Sequence, residues 1–170
     1  MGESPRYSLT RIVGTGRDEI LLCTEIALPR PAALLLEARK TVLIDRTEIT
    51  PGSILLQGRL RAVWLYQAAE LPGSGPVWST AADIPFLLRI SLPDAQPGMD
   101  CRVIDAHVTA DASEGAGPAL IVDRSVIFVS VEVTVREERG GRPPAPSIVQ
   151  APTAGTIIGR FGPKDRHGRS

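Results

Sequence analysis

At 170 residues the chain is the size of one domain and long enough to bury a substantial core. Its 43% hydrophobic and 22% charged residues exclude wholesale disorder, and no stretch approaches the roughly 18 apolar residues of a membrane-spanning helix. Net charge is zero but uneven: residues 139–170 hold six bases (Arg139, Arg142, Arg160, Lys164, Arg166, Arg169) and one acid, Asp165, for +5, leaving 13 bases and 18 acids, or −5, in residues 1–138. An acidic body with a basic tail suits head-to-tail association, an anionic partner, or simply a solvated, solubilising tail.

The opening MGESPRYSLTRIVGTG has no apolar signal-peptide core, so synthesis in a cytosol is expected, with Cys23 and Cys101 reduced unless a finished assembly meets oxidant. EILLCTEIAL (19–28) reads as a strand with Ile20, Leu22 and Ile26 on one face and Cys23 and Glu25 on the other. ALLLEARKTVLIDRTEI (33–49) aligns Leu34, Leu36, Ala38, Val42 and Ile44. Pro51–Gly52 in TPGS suits a type II turn. SILLQGRLRAVWLY then alternates clearly, with Ile54, Leu56, Gly58, Leu60, Ala62, Trp64 and Tyr66 on one face. PVWSTAA (76–82) is a further strand candidate, and Phe86–Ile90 a short helix whose upstream extent Pro85 limits.

Pro93, Asp94, Pro97 and Gly98 make a stiff connector, the two prolines restricting the crossing and Gly98 admitting a turn geometry other residues resist. DCRVIDAHVTADA (100–112) aligns Ile104, Ala106, Val108 and Ala110, and DASEGAGP (111–118) reads as a glycine-rich hairpin loop. IVDRSVIFVSVEVTVRE sends Ile127, Val129, Val131, Val133 and Val135 inward, in the β-branched composition of a half-buried sheet. From Arg139 the composition turns to GGRPPAPSIVQAPTAG, of polyproline character, followed by TIIGRF. Thr156, Ile157, Ile158, Gly159, Arg160 and Phe161 form either a strand that adds to a sheet edge or part of a disordered tail.

These elements predict an all-β fold, an antiparallel β-sandwich or open barrel built from long hairpins, over residues 1–138, with a Pro/Gly-rich basic tail over 139–170. Two hairpins, one turning at TPGS and one at ASEGAGP, repeat the same architecture.

Residues that carry chemistry are sparse. His107 shares a strand face with Asp105 and Thr109, which allows a metal or acid–base reading, but a solvent-facing polar stripe accounts for it better. GTGRDE (14–19) lacks the third glycine and the helix of a dinucleotide fingerprint. The single RGGR (139–142) lacks the repeated aromatics of a nucleic-acid segment. No catalytic residue, cofactor, metal, nucleic acid or membrane insertion is expected. Of the 19 bases only Lys40 and Lys164 are lysines, an arginine excess that fits a GC-rich genome.

The order of several motifs resembles a known family. ITPGSILLQGRLRAVWLY (49–66), ADIPFLLRISLPDAQPGMDCRV (82–103) and LIVDRSVIFVSVEVTV (120–135) are similar to the SPOCS domain of SipL-type spore-coat morphogenetic proteins, over roughly residues 10–137. The IPF…LP…PGM run is the most specific part. The resemblance implies a scaffold that acts through protein contacts in the spore coat, where family members recruit or anchor a coat ATPase. Many members carry a peptidoglycan-binding LysM domain after this module; here only the Pro-rich tail follows, which implies a single-module building block.

The expected function is therefore a structural protein of a spore-associated layer or filament, a homo-oligomer or polymer joined through sheet edges and the tail. The alternative is a monomeric or dimeric adaptor that recruits a spore-coat partner. Deposition on the spore surface after synthesis in the mother cell is expected, and Cys23 and Cys101 are candidate intersubunit cross-links once exposed to oxidant.

Overall fold

A computed structural model describes residues 6–69 and 75–140. Six antiparallel strands follow one another: β1 (Arg6–Ala27), β2 (Ala32–Thr50), β3 (Ser53–Ala68), β4 (Val77–Ser91), β5 (Asp100–Gly117) and β6 (Leu120–Gly140). They form two three-stranded sheets, ordered β2-β3-β4 and β1-β6-β5, stacked as a sandwich. The strictly alternating strands β3 and β6 are the central strands of the two sheets. From β3, Ile54, Leu56, Leu60, Trp64 and Tyr66 are buried; from β6, Ile121, Ile127, Val129, Val131 and Val133. Each such large side chain contributes about 1.5–3 kcal/mol by leaving water.

Four sequence expectations are corrected. Phe86–Ile90 is not a helix but part of β4, where Ile84, Phe86, Leu88 and Ile90 alternate inward. Pro85, which limited the upstream extent of the expected helix, sits instead on an edge strand and points outward, a position where proline is tolerated. The glycine-rich loop is largely strand: β5 runs to Gly117 and only Pro118–Ala119 turn.

The other two corrections come from β-bulges. In β2 the register shifts between Ala32 and Leu34 and again between Leu35 and Glu37. These bulges turn Leu35 inward and leave Leu34 and Leu36 facing out, 56% and 48% exposed, while Ala38, Val42 and Ile44 pack on the core as expected. In β5, shifts between Val103 and Asp105 and between Val108 and Ala110 expose Ile104 (50%) and Ala110, while Ala106 and Val108 stay inward. An extra residue on one strand reverses the side-chain parity beyond it.

Two crossings carry the chain between sheets, and each docks on a hairpin turn. At Leu92–Ala95 the Ala95 N–H donates to the Leu92 carbonyl (2.9 Å), enclosing Pro93 and Asp94; at Gln96–Met99 the Met99 N–H donates to the Gln96 carbonyl (3.3 Å), enclosing Pro97 and Gly98. Gly98 has φ +92°, which only glycine adopts without strain. This double turn is clasped to the β2–β3 turn: Gly52 N–H donates to Ala95 C=O (2.9 Å) and Leu92 N–H to Gly52 C=O (3.0 Å). At the opposite end, Leu28 N–H bonds Ala119 C=O (2.9 Å) and Ala32 N–H bonds Pro118 C=O (2.6 Å), tying the β1–β2 crossing to the β5–β6 turn. Each crossing is thus bonded to a hairpin turn of the sheet it leaves.

Candidate functional site: a buried lysine at the seam between the sheets

Along the seam where β2 approaches β5, one inward position of β2 is a lysine. Lys40 lies on the core face between Ala38 and Val42, its side chain 4% exposed. Its Nζ lies 2.8 Å from Asp123 Oδ1 and 3.1 Å from Asp111 Oδ2, and donates to Ser125 Oγ at 2.9 Å. Asp123, on β6, is 1% exposed and Ser125 is fully buried, whereas Asp111 on β5 is half exposed. Ser113 donates a short hydrogen bond to Asp123 Oδ1, Ser125 donates to Oδ2 (2.9 Å), and Trp64 Nε1 on β3 donates to Ser113 Oγ (3.1 Å).

Four strands and both sheets therefore converge on one carboxylate. Burial is the largest single influence on Asp123 and favours its neutral acid. Hydrogen bonds from Lys40, Ser113 and Ser125, with the lysine charge, together outweigh it and hold the carboxyl below its ordinary value. Exposed carboxylates are held down as well: Asp83 by hydrogen bonds from Arg61, Glu137 by Arg11 and Arg139, and Glu37 by Arg39.

Stability is therefore expected to hold from neutral pH down to the ordinary carboxylate range and to fall below about pH 4. The sign follows from the depressed folded-state values: the unfolded chain takes up protons first, so acid favours unfolding. Melting temperature against pH at low and high salt checks this. Salt is expected to flatten the part due to the exposed pairs, leaving a remainder that Asp123→Asn abolishes.

The residues singled out from sequence are dispersed. Cys23 lies exposed on the outer face of β1; Cys101, turned inward by the β5 bulge, is half-buried, and burial pushes its thiol up. His107 forms a surface pair with Asp105 (Nδ1–Oδ2 3.0 Å) against the Phe128 ring, 5.3 Å between centroids. Pro93, Pro97 and Gly98 form the connector. Thr156–Phe161 lies outside the described residues. Among the described residues no helix is long and apolar enough to cross a membrane.

Residues 33–108 match the family model described as the SipL SPOCS domain. Over that stretch the chain is similar to the SPOCS domain family. The match takes in β2 from Ala33, β3, β4, the clasped connector and β5 as far as Val108. The SPOCS domain is a sporulation-related, structural family rather than an enzyme family, and the match points to that context. Lys40 and Trp64 of the buried network fall within the SPOCS match, and Asp111, Ser113, Asp123 and Ser125 beyond it. No curated protein and no solved structure matches the chain.

Proposed function

We propose that this protein is a non-enzymatic structural component of a spore-associated coat layer or filament, whose copies join through sheet edges and the C-terminal tail. One observation carries the reading. β1 and β6 stay paired from Ile12–Thr134 out to Arg6–Gly140, although β4 ends at Ser91 and β5 starts at Asp100, opposite Thr134. Beyond that point they form a two-stranded ribbon with no third strand on either side among the described residues.

Unpaired N–H and C=O groups on such a ribbon are a template for an added strand. Arg11, Glu137 and Arg139, ion-paired along it at 3.0 and 3.1 Å, discourage indiscriminate pairing and favour a partner of matched charge. The tail leaves directly from the end of β6, and Thr156–Phe161 supplies an apolar segment of strand length on a neighbouring copy. The exposure of Cys23 on an outer face supports its cross-linking copies under oxidant.

Negative-stain microscopy and light scattering on the full chain and on a chain ending at Gly140, which keeps β6 whole, test the proposal. Ordered filaments or sheets are expected from the full chain only. Small monodisperse particles from both would overturn assembly and leave the adaptor that recruits a coat partner.

A further inference from the structure

The amine and carboxyl at the seam are placed for more than an ion pair. We infer that Lys40 and Asp123 are the two ends of an intramolecular isopeptide bond, closed by condensation within the folded domain. A nitrogen 2.8 Å from Oδ1 has the carboxyl carbon within about 4 Å, given a C=O bond of about 1.23 Å, near the ~3–3.5 Å of a reactive contact. Both side chains are enclosed and held in place: Lys40 donates to Ser125, and Asp123 accepts from Ser113 and Ser125; of the two carboxylates beside Lys40, Asp123 is the nearer and the buried one.

The reaction balances without a cofactor or co-reactant. The Lys40 ammonium and the Asp123 carboxylate become one amide and one water. Asp111, 3.1 Å from Nζ and open to solvent on its other side, takes one proton and frees the nitrogen lone pair. The amine then attacks Cγ of Asp123, forming the C–N bond. The second proton lost from nitrogen and the one held by Asp111 go to the departing oxygen, the C–O bond breaks, and water leaves. Asp111 ends as it began. Ser113 and Ser125, each donating to one Asp123 oxygen, stabilise the negative charge that builds on those oxygens in the tetrahedral intermediate.

Burial favours the product as well as the approach. An ion pair taken out of water carries a heavy desolvation cost, and the amide replaces both charges with a neutral group. The low water content of the interior opposes the reverse hydrolysis. The bond would join β2 of one sheet to β6 of the other. It would therefore lock the sandwich covalently along the seam, in a monomer as in an assembly.

Intact-mass spectrometry of the purified full-length protein is the test, followed by fragmentation of a digest. The expected result is a mass one water below that of the sequence, with a branched peptide joining Lys40 to Asp123. Asp111→Ala, with a native Trp64 fluorescence spectrum showing that it folds, is expected to link about 100-fold more slowly. A wild-type mass equal to that of the sequence, unchanged on prolonged incubation, overturns the inference. So does a missing water that maps to any other residue, such as a succinimide. An Asp111→Ala chain that links as fast as wild type overturns the assigned role of Asp111.

Discussion

Measured against the domain before its Lys40–Asp123 amide has closed, Lys40→Met is expected to lower stability by about 3–5 kcal/mol, the usual cost of removing one partner from a buried ion pair. Methionine can follow the lysine stem, so little packing is lost. What is lost is the charge opposite Asp123, which stays enclosed with only the Ser113 and Ser125 hydroxyls to stabilise it. The half-exposed Asp111 also loses its partner, a smaller loss because water reaches it. Urea denaturation followed by tryptophan fluorescence measures the effect, since Trp64 is buried and bonded to Ser113. The double variant Lys40→Met/Asp123→Asn is expected to recover much of the loss, because a neutral amide keeps hydrogen bonds to both serines and leaves no buried charge. A single variant as stable as the unlinked wild-type domain would show that the interior tolerates an unpaired carboxylate and that the network does not hold the seam.

That network was legible in principle from strand parity. Asp123 and Ser125 share the inward parity of Ile121, Ile127 and Val129, and Lys40 that of Ala38, Val42 and Ile44. A polar residue on an inward position is informative, and a lysine in a chain whose bases are nearly all arginine doubly so. What parity could not supply is which inward polar residues meet, because β2 and β6 belong to different sheets. The central strands β3 and β6 were readable because they alternate without interruption. The bulged strands β2 and β5 were misread at Leu34, Leu36, Ile104 and Ala110, since bulges reverse parity without an unambiguous sequence mark. Phe86–Ile90 differs for another reason: a short run beside Pro85 suits a helix start as well as a strand, and an edge position accommodates the proline in a strand. The β1–β6 ribbon was not visible at all, because the apolar alternation fades where no opposing sheet demands it.

Gly58→Ala tests how the SPOCS motifs fit one another, and a loss of about 3 kcal/mol is expected, at the upper end of overpacking costs. Gly58 is in the middle of β3, paired with Ile44 on one side and Phe86 on the other. A Cβ there would lie 2.6 Å from the Leu43 carbonyl oxygen and 2.7 Å from Phe86 Cζ. Glycine to alanine in an unhindered strand gains about 0.5–1 kcal/mol from backbone entropy, so the sign of the change is decided by the contacts. The Phe86 ring can rotate aside only into a filled core. The Leu43 carbonyl belongs to the backbone, next to the register shift between Ile44 and Arg46, and cannot retreat without moving β2. Adding Phe86→Leu should therefore relieve one contact and restore only part of the stability, as read from the urea midpoint. Full restoration would mean that the ring alone excludes a side chain at position 58. In either case the glycine of ILLQGRL and the phenylalanine of ADIPF form one packing unit: Phe86 rests over the bare backbone of the central strand. The clasp of the connector onto the β2–β3 turn begins at Leu92, on the same strand, so a shift in β4 at Phe86 would be passed to the crossing between the sheets.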